Sequence, residues 1–239
     1  QVSCSWGWTG GPNITTDQIF QQMAAQGQTF FDASGDSDAF LPGEIDSPFS
    51  FGEPSSNPFI TQVGGTTLRM GGAGAAYNSE TVWNWGIRYG AGFDGVGSSG
   101  GISSFYSIPS WQTNINMATR GGSITSRNVP DVAMTADDVL VIADGGIRYT
   151  GVGGTSCAAP LWAGFTALAN QQAALNGRGP VGFINPALYA IANSPNYAAC
   201  FNDITTGNNF WSQSPALFNS AVGYDVKQEN VCRTFPVGF

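Results

Sequence analysis

A serine at residue 156 has the sequence context of a nucleophile. It closes the segment 153–156 (GGTS) and directly precedes a long apolar stretch with helical spacing. Small residues allow a tight turn, and the first turn of a helix presents free N–H groups that favour negative charge beside the serine Oγ. A serine at this position is more often only an N-cap, so the segment by itself favours a structural role.

The absence of histidine limits which groups can activate that serine. Without histidine, neither a Ser-His-Asp triad nor a metal site based on imidazole can be built. Any base must be a carboxylate, a lysine or a tyrosine. Asp36 lies within residues 35–37 (GDS). Gly-Asp-Ser is ordinary turn chemistry, and on the residues alone a turn role is the simpler interpretation.

Composition restricts the fold class and the partners. The chain has 239 residues, 42% of them hydrophobic, and a net charge of −8, which suits one globular domain with a sizeable core. An acidic chain without a basic cluster is a poor ligand for nucleic acid or an anionic membrane. No apolar run approaches the roughly 20 residues of a membrane-spanning helix. An acidic working environment would suit this composition, because protonation of carboxylates lowers the negative charge.

Other features favour a secreted protein. The chain has one lysine and a single N-x-S/T sequon, at Asn13, and a sequon marks a surface loop in a secreted protein. Four cysteines, at positions 4, 157, 200 and 232, are too few for a disulfide scaffold and lack metal-binding spacing. The sequence shows no signal peptide and opens in a strand-like segment, so we expect a mature or processed product.

The pattern of apolar residues predicts a single α/β domain. Strand, helix and strand follow one another within about 35 residues, which predicts a right-handed βαβ unit and a parallel sheet. The predicted strands are 2–8, 29–33 and 59–68, with a hairpin at 139–142 and 147–149, and the predicted helices begin at 15–17 and 156 and end near 27 and 175. Residues 70–104 are rich in Gly and Ser and predict long loops with a hairpin. The chain from residue 196 onward is expected to be irregular.

Eight short segments follow one another in an order typical of one peptidase family. They are 5–7 (SWG), 33–37 (ASGDS), 63–66 (VGGT), 80–84 (ETVWN), 99–103 (SGGIS), 109–112 (PSWQ), 127–132 (RNVPDV) and 153–160 (GGTSCAAP). Together they resemble the sedolisins, which are secreted serine-carboxyl peptidases with a subtilisin-like fold. No single segment is specific, but their shared order across nearly the whole chain is.

This resemblance implies a fold and a set of site residues. The expected fold is α/β and subtilisin-like, a mostly parallel sheet flanked by helices, forming a single domain over residues 1–239. Ser156 would be the nucleophile of a peptidase acting on peptides at acidic pH, and Asp36 would help to form the oxyanion hole. Backbone groups of Ser99, Gly100 and Gly101 would pair with an extended peptide substrate. Asp131 is expected to hold loops by hydrogen bonds.

The resemblance also implies a calcium site near the C-terminal end of the chain. Residues 201–207 (FNDITTG) and 221–225 (AVGYD) resemble the family's calcium-binding segments. The implied ligands are the side chains of Asp203 and Asp225 and the carbonyls of Ile204, Ala221 and Gly223, a set of hard oxygen donors that suits Ca²⁺.

The same segments suggest a disulfide. Cys200 and Cys232 flank the implied calcium site, and joining them would close a loop worth about 3–4 kcal/mol in the chain-entropy description. We therefore expect this pair to be bonded. Cys4 and Cys157 are expected to be free thiols.

One part of the family's machinery has no counterpart in this sequence. Sedolisins activate the serine with a glutamate that is paired with an aspartate four residues later, in a segment that would precede Gln1. None of Glu44, Glu53, Glu80 and Glu229 has an aspartate at that spacing. Two hypotheses follow. The chain is one part of a processed peptidase, inactive alone and completed by a second chain that carries the N-terminal part, or it is a catalytically dead relative with a structural role or a role in binding protein or carbohydrate.

Overall fold

A computed structural model describes most of the chain, namely residues 1–9, 11–47, 51–53, 56–72, 76–86, 95–210, 220, 222–223 and 231–232. The helices are α1 (Ile14–Ala25), α2 (Thr155–Leu175), α3 (Asn185–Ala192) and α4 (Tyr197–Cys200), with a 3₁₀ helix at Met117–Arg120. The strands are β1 (Val2–Cys4), β2 (Trp8–Thr9), β3 (Phe30–Ala33), β4 (Ser37–Ala39), β5 (Phe51–Glu53), β6 (Thr61–Met70), β7 (Tyr77–Val82), β8 (Gly97–Ser107), β9 (Ser126–Val129), β10 (Val132–Thr135), β11 (Val139–Ala143), β12 (Ile147–Val152), β13 (Phe201–Asn202) and β14 (Val231–Cys232).

The central sheet is mainly parallel, as the βαβ pattern predicts. Its strand order is β1-β3-β6-β10, and all three of these pairings are parallel. β7 adds an antiparallel strand along the second half of β6. Parallel strands need crossover connections, and the first is made by α1, whose buried Phe20 packs on Phe30 with ring centroids 5.0 Å apart.

Helix α2 packs across β1, β3, β6 and β10. Its inner face carries Ala158, Ala159 and Trp162, none of which is exposed. The Trp162 indole stacks on Phe31 and donates its Nε1–H to the carbonyl of Ala133 on β10, 2.8 Å away. Two alanines allow the helix to approach the sheet closely, and the tryptophan fixes its rotation because both its ring and its polar atom have partners. Among the described residues, no helix is both long enough and apolar enough to cross a bilayer.

A second sheet contains a strand where the sequence predicted loops. β8 lies between β4, to which it is parallel, and β9, to which it is antiparallel. The loop prediction for residues 97–104 is therefore wrong. The reason is close packing: a Cβ at Gly97, Gly100 or Gly101 would approach neighbouring atoms to between 2.1 and 2.9 Å. Glycine is a weak strand former, but in this strand it is required by the neighbours.

Two local predictions are confirmed with shifted boundaries. β11 and β12 form the predicted antiparallel hairpin. Helix α1 begins earlier than predicted, because its N-cap is Asn13, whose Oδ1 accepts hydrogen bonds from the backbone N–H groups of Thr15 (2.9 Å) and Thr16 (3.4 Å). Asparagine is among the preferred N-caps, so the signal was present in the sequence two residues before the predicted start.

Asp131 has the structural role predicted for it. Its carboxylate is 1% exposed and pairs with Arg127, which is not exposed, at 2.6 Å between Nη2 and Oδ2. The same carboxylate accepts hydrogen bonds from the backbone N–H of Gln62 on β6 (2.8 Å) and from the hydroxyl of Tyr189 on α3 (2.9 Å). One side chain therefore joins β6, β9 and α3.

The disulfide prediction is wrong. Cys4, Cys157 and Cys200 are all free thiols, and Cys200 is buried. The antiparallel register of β13 and β14 places Phe201, not Cys200, opposite Cys232. The predicted free state of Cys4 and Cys157 is confirmed.

Candidate active site

Ser156 is the second residue of α2 and is exposed to solvent. The chain reaches it from β12 through Gly153 and Gly154, and the helix then runs back across the central sheet. The carbonyl of Ser156 accepts a hydrogen bond from Oγ of Ser5, which follows β1, at 3.2 Å. No described residue forms a hydrogen bond with Ser156 Oγ, so the hydroxyl is accessible to a ligand.

Asp36 lies at the N-terminus of α2. Its Oδ1 accepts hydrogen bonds from the backbone N–H and the hydroxyl of Thr155, at 2.7 Å and 2.8 Å. The N-cap residue, Gly154, has no side chain, so Asp36 supplies the capping oxygen from another part of the chain. Gly154 has a φ of 121°, and a Cβ there would come within 2.8 Å of Asp36 Oδ2. The glycine before Thr155 is therefore needed both for its conformation and for the space that the carboxylate occupies.

The loop that carries Asp36 is fixed by bonds to β8. Ser99 Oγ accepts the backbone N–H of Ser37 at 2.9 Å, and the N–H of Ser99 donates to the carbonyl of Gly35 at the same distance. The N–H of Gly97 donates to the carbonyl of Asp36 at 3.1 Å. These bonds leave Asp36 Oδ2 without a partner among the described residues, at the helix end that bears Ser156. A protonated Oδ2 could therefore donate to a substrate oxygen.

The residues predicted to bind substrate lie in the middle strand of the second sheet. Ser99, Gly100 and Gly101 are buried, and Gly101 is paired with Val129 of β9. The N–H of Ser99 and the carbonyl of Gly100, which accepts from Phe40 N at 2.9 Å, already have partners within the protein. A peptide could use these groups only by displacing the segment 35–40, and peptide pairing at this strand stays a prediction.

A different segment beside Ser156 is open to solvent. Residues 5–7 follow β1 and are exposed, and Trp6 is 79% exposed. The Ser5 bond to Ser156 places this segment beside the nucleophile. The sequence identifies residues 5–7 only as a family marker. The signal that could have identified them is position, because in a parallel α/β sheet ligands bind at the carboxyl ends of the strands, where residues 5–7 and Asp36 both lie.

The glutamates that have described side chains are engaged elsewhere. Glu44 accepts the backbone N–H of Leu41, and buried Glu80 accepts from the side chains of Thr66 and Asn202. The Glu53 side chain and the whole of Glu229 are outside the described residues. Ser156 and Asp36 together can bind a carbonyl and stabilise negative charge, but no described carboxylate accepts a hydrogen bond from the Ser156 hydroxyl.

Cys157 does not offer an alternative nucleophile. Burial raises the pKa of its thiol, and the negative charge of Asp36 raises it further. A thiol with a raised pKa is mostly protonated at neutral and acidic pH and is correspondingly unreactive. Of the two adjacent side chains at the start of α2, the Ser156 hydroxyl is the exposed one, whereas the Cys157 thiol is partly buried.

The implied calcium ligands are brought together in part. Asp203 Oδ2 accepts the backbone N–H of Gly223 at 2.8 Å, and Oδ1 accepts the hydroxyl of Tyr197 at 2.8 Å. Ile204 follows Asp203 and is buried. Ala221 and Asp225 lie outside the described residues. Within the described ranges, no group of three or more Asp, Glu, Cys or His side chains could hold a metal ion.

A scan against models of known protein families finds no match, whereas individual relatives match most of the chain. Kumamolisin from Bacillus sp. (strain MN-32) is 35% identical over 234 residues, which are 94% of this chain and 39% of the relative. Sedolisin from Pseudomonas sp. (strain 101) is 33% identical, covering 94% of this chain and 37% of the relative. Xanthomonalisin from Xanthomonas sp. (strain T-22) is 33% identical over 90% of this chain and 27% of the relative. The chain thus spans less than half the length of these relatives.

A solved structure agrees with the sequence comparison. Pseudomonas sedolisin, a serine-carboxyl proteinase in complex with two molecules of pseudo-iodotyrostatin, matches with a TM-score of 0.72 and 31% identity. The match covers 95% of this chain and 60% of the sedolisin chain. Both comparisons extend over nearly all of the present sequence, and the fold match confirms the expected subtilisin-like α/β architecture. The chain therefore belongs to the sedolisin family of serine-carboxyl peptidases, of whose members it spans a part.

Proposed function

We propose that this chain is the serine-bearing part of a secreted sedolisin-type peptidase that acts on peptides at acidic pH. The observation that carries the proposal is the exposed Ser156 at the N-terminus of α2, with the carboxyl group of Asp36 held against the same helix end. A nucleophile and an acid that can stabilise an oxyanion are the two groups that acyl transfer requires at the carbonyl.

In this mechanism Ser156 Oγ attacks the carbonyl carbon of the scissile peptide bond. The carbonyl oxygen becomes an oxyanion, and a proton on Asp36 Oδ2 donates a hydrogen bond to it while the N-terminus of α2 favours the new charge. A carboxyl group can donate only while it is protonated, so the mechanism requires acidic conditions. Exposed Trp6 follows Ser5, which bonds the Ser156 carbonyl, and would supply an aromatic surface for a substrate side chain.

The proton of Ser156 needs an acceptor, and we assign that role to a second chain, the N-terminal part of the sedolisin fold. The solved sedolisin chain is longer than the part that matches here, which covers 60% of it. Two surfaces are available to such a partner. β1 pairs only with β3 among the described strands, and Leu161, Leu168 and Leu175 form an exposed row along α2. Apolar side chains repeated every seven residues suit a packed helix or sheet.

The chain alone is expected to be inactive. Without a base, and none is bonded to it among the described residues, the serine hydroxyl is a weak nucleophile. Hydrolysis of unstructured peptides by the isolated chain between about pH 3 and pH 7 should therefore remain at background. Adding a separately produced N-terminal segment with the Glu and Asp pair should restore hydrolysis at the acidic end of this range. Release of new peptide N-termini is the measurement. Efficient hydrolysis by the isolated chain would contradict the proposal.

The second hypothesis is a catalytically dead sedolisin-fold protein that binds a ligand or has a structural role. It is favoured by the absence of any described hydrogen-bond partner for Ser156 Oγ. Carbohydrate binding finds little support, because four of the five tryptophans that have described side chains, at positions 83, 85, 111 and 162, pack in or against the core. Failure of the complementing segment to restore hydrolysis, although it binds, would favour this hypothesis over the peptidase.

We also propose that Ca²⁺ binds between Asp203 and the segment 221–225. The contact of Asp203 with Gly223 supports this, because it places two of the five implied ligand residues side by side. A carboxylate has about four lone-pair sites, so the two hydrogen bonds to Asp203 leave capacity for a metal ion. Calcium there would bind the side chains of Asp203 and Asp225 and the carbonyls of Ile204, Ala221 and Gly223.

Removing calcium is expected to destabilise the protein. A ligand specific for the folded state contributes about 2.7 kcal/mol at a hundredfold excess over Kd. At roughly 2–4 °C per kcal/mol for a chain of this size, EDTA at neutral pH should lower the Tm by about 5–10 °C. Asp203→Asn should lower the Tm similarly and abolish the EDTA effect, while the exposed control Asp144→Asn keeps it. An unchanged melting curve of the unmodified protein with EDTA would exclude the site.

A further inference from the structure

Asp38 is a buried carboxyl group that the proposed chemistry does not use. Its side chain is 0% exposed, and neither Oδ1 nor Oδ2 has a hydrogen-bond partner among the described residues. Its backbone is left-handed, with a φ of 58°, a conformation that aspartate adopts more readily than most residues. Buried polar atoms nearly always have partners, so two orphaned oxygens on one carboxyl group are unusual.

Among the described residues, the surroundings of Asp38 offer no compensating charge. A Cβ built on Gly97 of β8 would lie 2.1 Å from Asp38 Oδ1, and the same point lies close to the carbonyl of Trp83 and the Cα of Asn84. None of these residues titrates. The described titratable side chains on neighbouring segments form hydrogen bonds elsewhere: Asp36 to Thr155, Tyr106 to Asp17, Glu80 to Thr66 and Asn202, and Asp203 to Tyr197 and Gly223. Burial alone raises the pKa of Asp38 to about 8.

The physical consequence is that Asp38 is neutral in the folded chain at acidic pH. A buried carboxylate without a counter-ion or donors is strongly disfavoured, and such a group binds a proton instead. The neutral acid fits the space beside Gly97, where a carboxylate would be isolated from water.

Asp38 lies on the strand that directly follows Asp36, so its protonation state can affect the candidate site. β4 has three residues and is held against β8. Asp38 is its central residue, two positions after Asp36, and Gly97, which contacts Asp38, also donates its N–H to the Asp36 carbonyl. We infer that protonated Asp38 is a positioning residue, which keeps β4 docked on β8 and thereby holds Asp36 at the N-terminus of α2 until ionisation of Asp38 releases it.

The catalytic significance of this inference rests on the proposed function, but its prediction for stability as a function of pH does not. Between the ordinary aspartate pKa near 4 and the raised value, the folded chain binds one proton more than the unfolded chain, so stability falls as the pH rises. The stabilisation is fully present at about pH 4 and lost by about pH 8. Asp38 would thus restrict the assembled site to acidic conditions.

The first test compares Asp38→Asn with Asp138→Asn. Asparagine keeps the shape of the side chain and tolerates a left-handed backbone, but it carries no proton to lose. Asp138 is a matched control, since it has the same backbone region (φ 54°) and is exposed. One extra bound proton changes the unfolding equilibrium constant about tenfold per pH unit. Between pH 5 and 7, that constant should therefore change roughly a hundredfold less in Asp38→Asn than in the unmodified protein and in Asp138→Asn.

The second test measures whether Asp36 stays bonded to Thr155, and it does not require hydrolysis. The backbone N–H of Thr155 donates to Asp36, so its hydrogen-exchange protection, corrected for the intrinsic pH effect, reports whether Asp36 is in place. Protection should decrease from pH 5 to pH 8 in the unmodified chain and stay high in Asp38→Asn. Because this readout needs neither a base nor a substrate, it can succeed even if the chain proves not to be a peptidase.

Two results would overturn the inference. Equal pH dependence of unfolding in Asp38→Asn and the unmodified chain would show that Asp38 does not hold the proton. Constant Thr155 protection in the unmodified chain from pH 5 to 8 would show that the proton does not position Asp36. If Asp38→Asn fails to fold, carbon-13 NMR of the aspartate carboxyl groups in the unmodified chain decides the first point. Titration of Asp38 near its ordinary value would then refute the inference.

Discussion

Replacing Ser156 with alanine is expected to abolish peptide hydrolysis by the chain once it is complemented with an N-terminal segment. The loss should be on the order of 10⁶ in kcat, the size found when the nucleophile is removed from a serine peptidase of the subtilisin type. The reason is that this substitution removes the Oγ atom that would form the covalent acyl-enzyme. Initial rates at about pH 4, with substrate well above KM, measure the effect.

The matched control for this experiment is Cys157→Ala, which alters the adjacent residue on the same helix turn. It should leave kcat within a few-fold of the unmodified value, since it removes one partly buried sulfur atom that takes no part in the proposed mechanism. A large loss in Cys157→Ala together with retained activity in Ser156→Ala would assign the nucleophile to the thiol and refute the proposed mechanism.

The parallel sheet was predictable because its signals are local. Two short apolar runs separated by a segment with helical periodicity predict a strand, a helix and a strand. The handedness of the crossover then follows from chain geometry. α2 was equally clear, since a long helical pattern follows the turn at residues 153–154. β8 was not predictable from propensity. Its small residues are required by close neighbours, such as Asp38 at Gly97 and Val129 at Gly100. These neighbours come from other parts of the chain, so the sequence of the strand does not reveal them.

The candidate site shows the same division between local and long-range information. Ser156 could be identified from the turn and helix that present it. The bond between Asp36 and Thr155 joins residues 119 positions apart, so their proximity could be expected only from the family resemblance. The exposed segment at residues 5–7 was missed because nothing in its composition distinguishes it. Burial of Asp38 was also hidden, since an aspartate in a Gly-Asp-Ser-Asp stretch looks like a surface turn.

Substitution of Asp131 is expected to have the largest effect on stability. Asp131→Asn removes the negative charge that compensates the fully buried guanidinium of Arg127 and turns an amide group toward donors from Gln62 and Tyr189. Leaving a buried charge uncompensated typically costs about 3–5 kcal/mol. At roughly 2–4 °C per kcal/mol for a chain of this length, the Tm should fall by about 6–20 °C.

The double variant Arg127→Met with Asp131→Leu separates the lost charge from the lost connections. Apolar replacement of a buried ion pair is often close to neutral, because neither charge then has to be desolvated. The double variant should therefore melt well above Asp131→Asn, although it also loses the bonds from Asp131 to β6 and α3. Asp144→Asn, at an exposed position, should change stability by no more than about 0.5 kcal/mol. Thermal unfolding followed by circular dichroism measures all three. A Tm for Asp131→Asn equal to that of Asp144→Asn would show that this ion pair does not hold β6, β9 and α3 together.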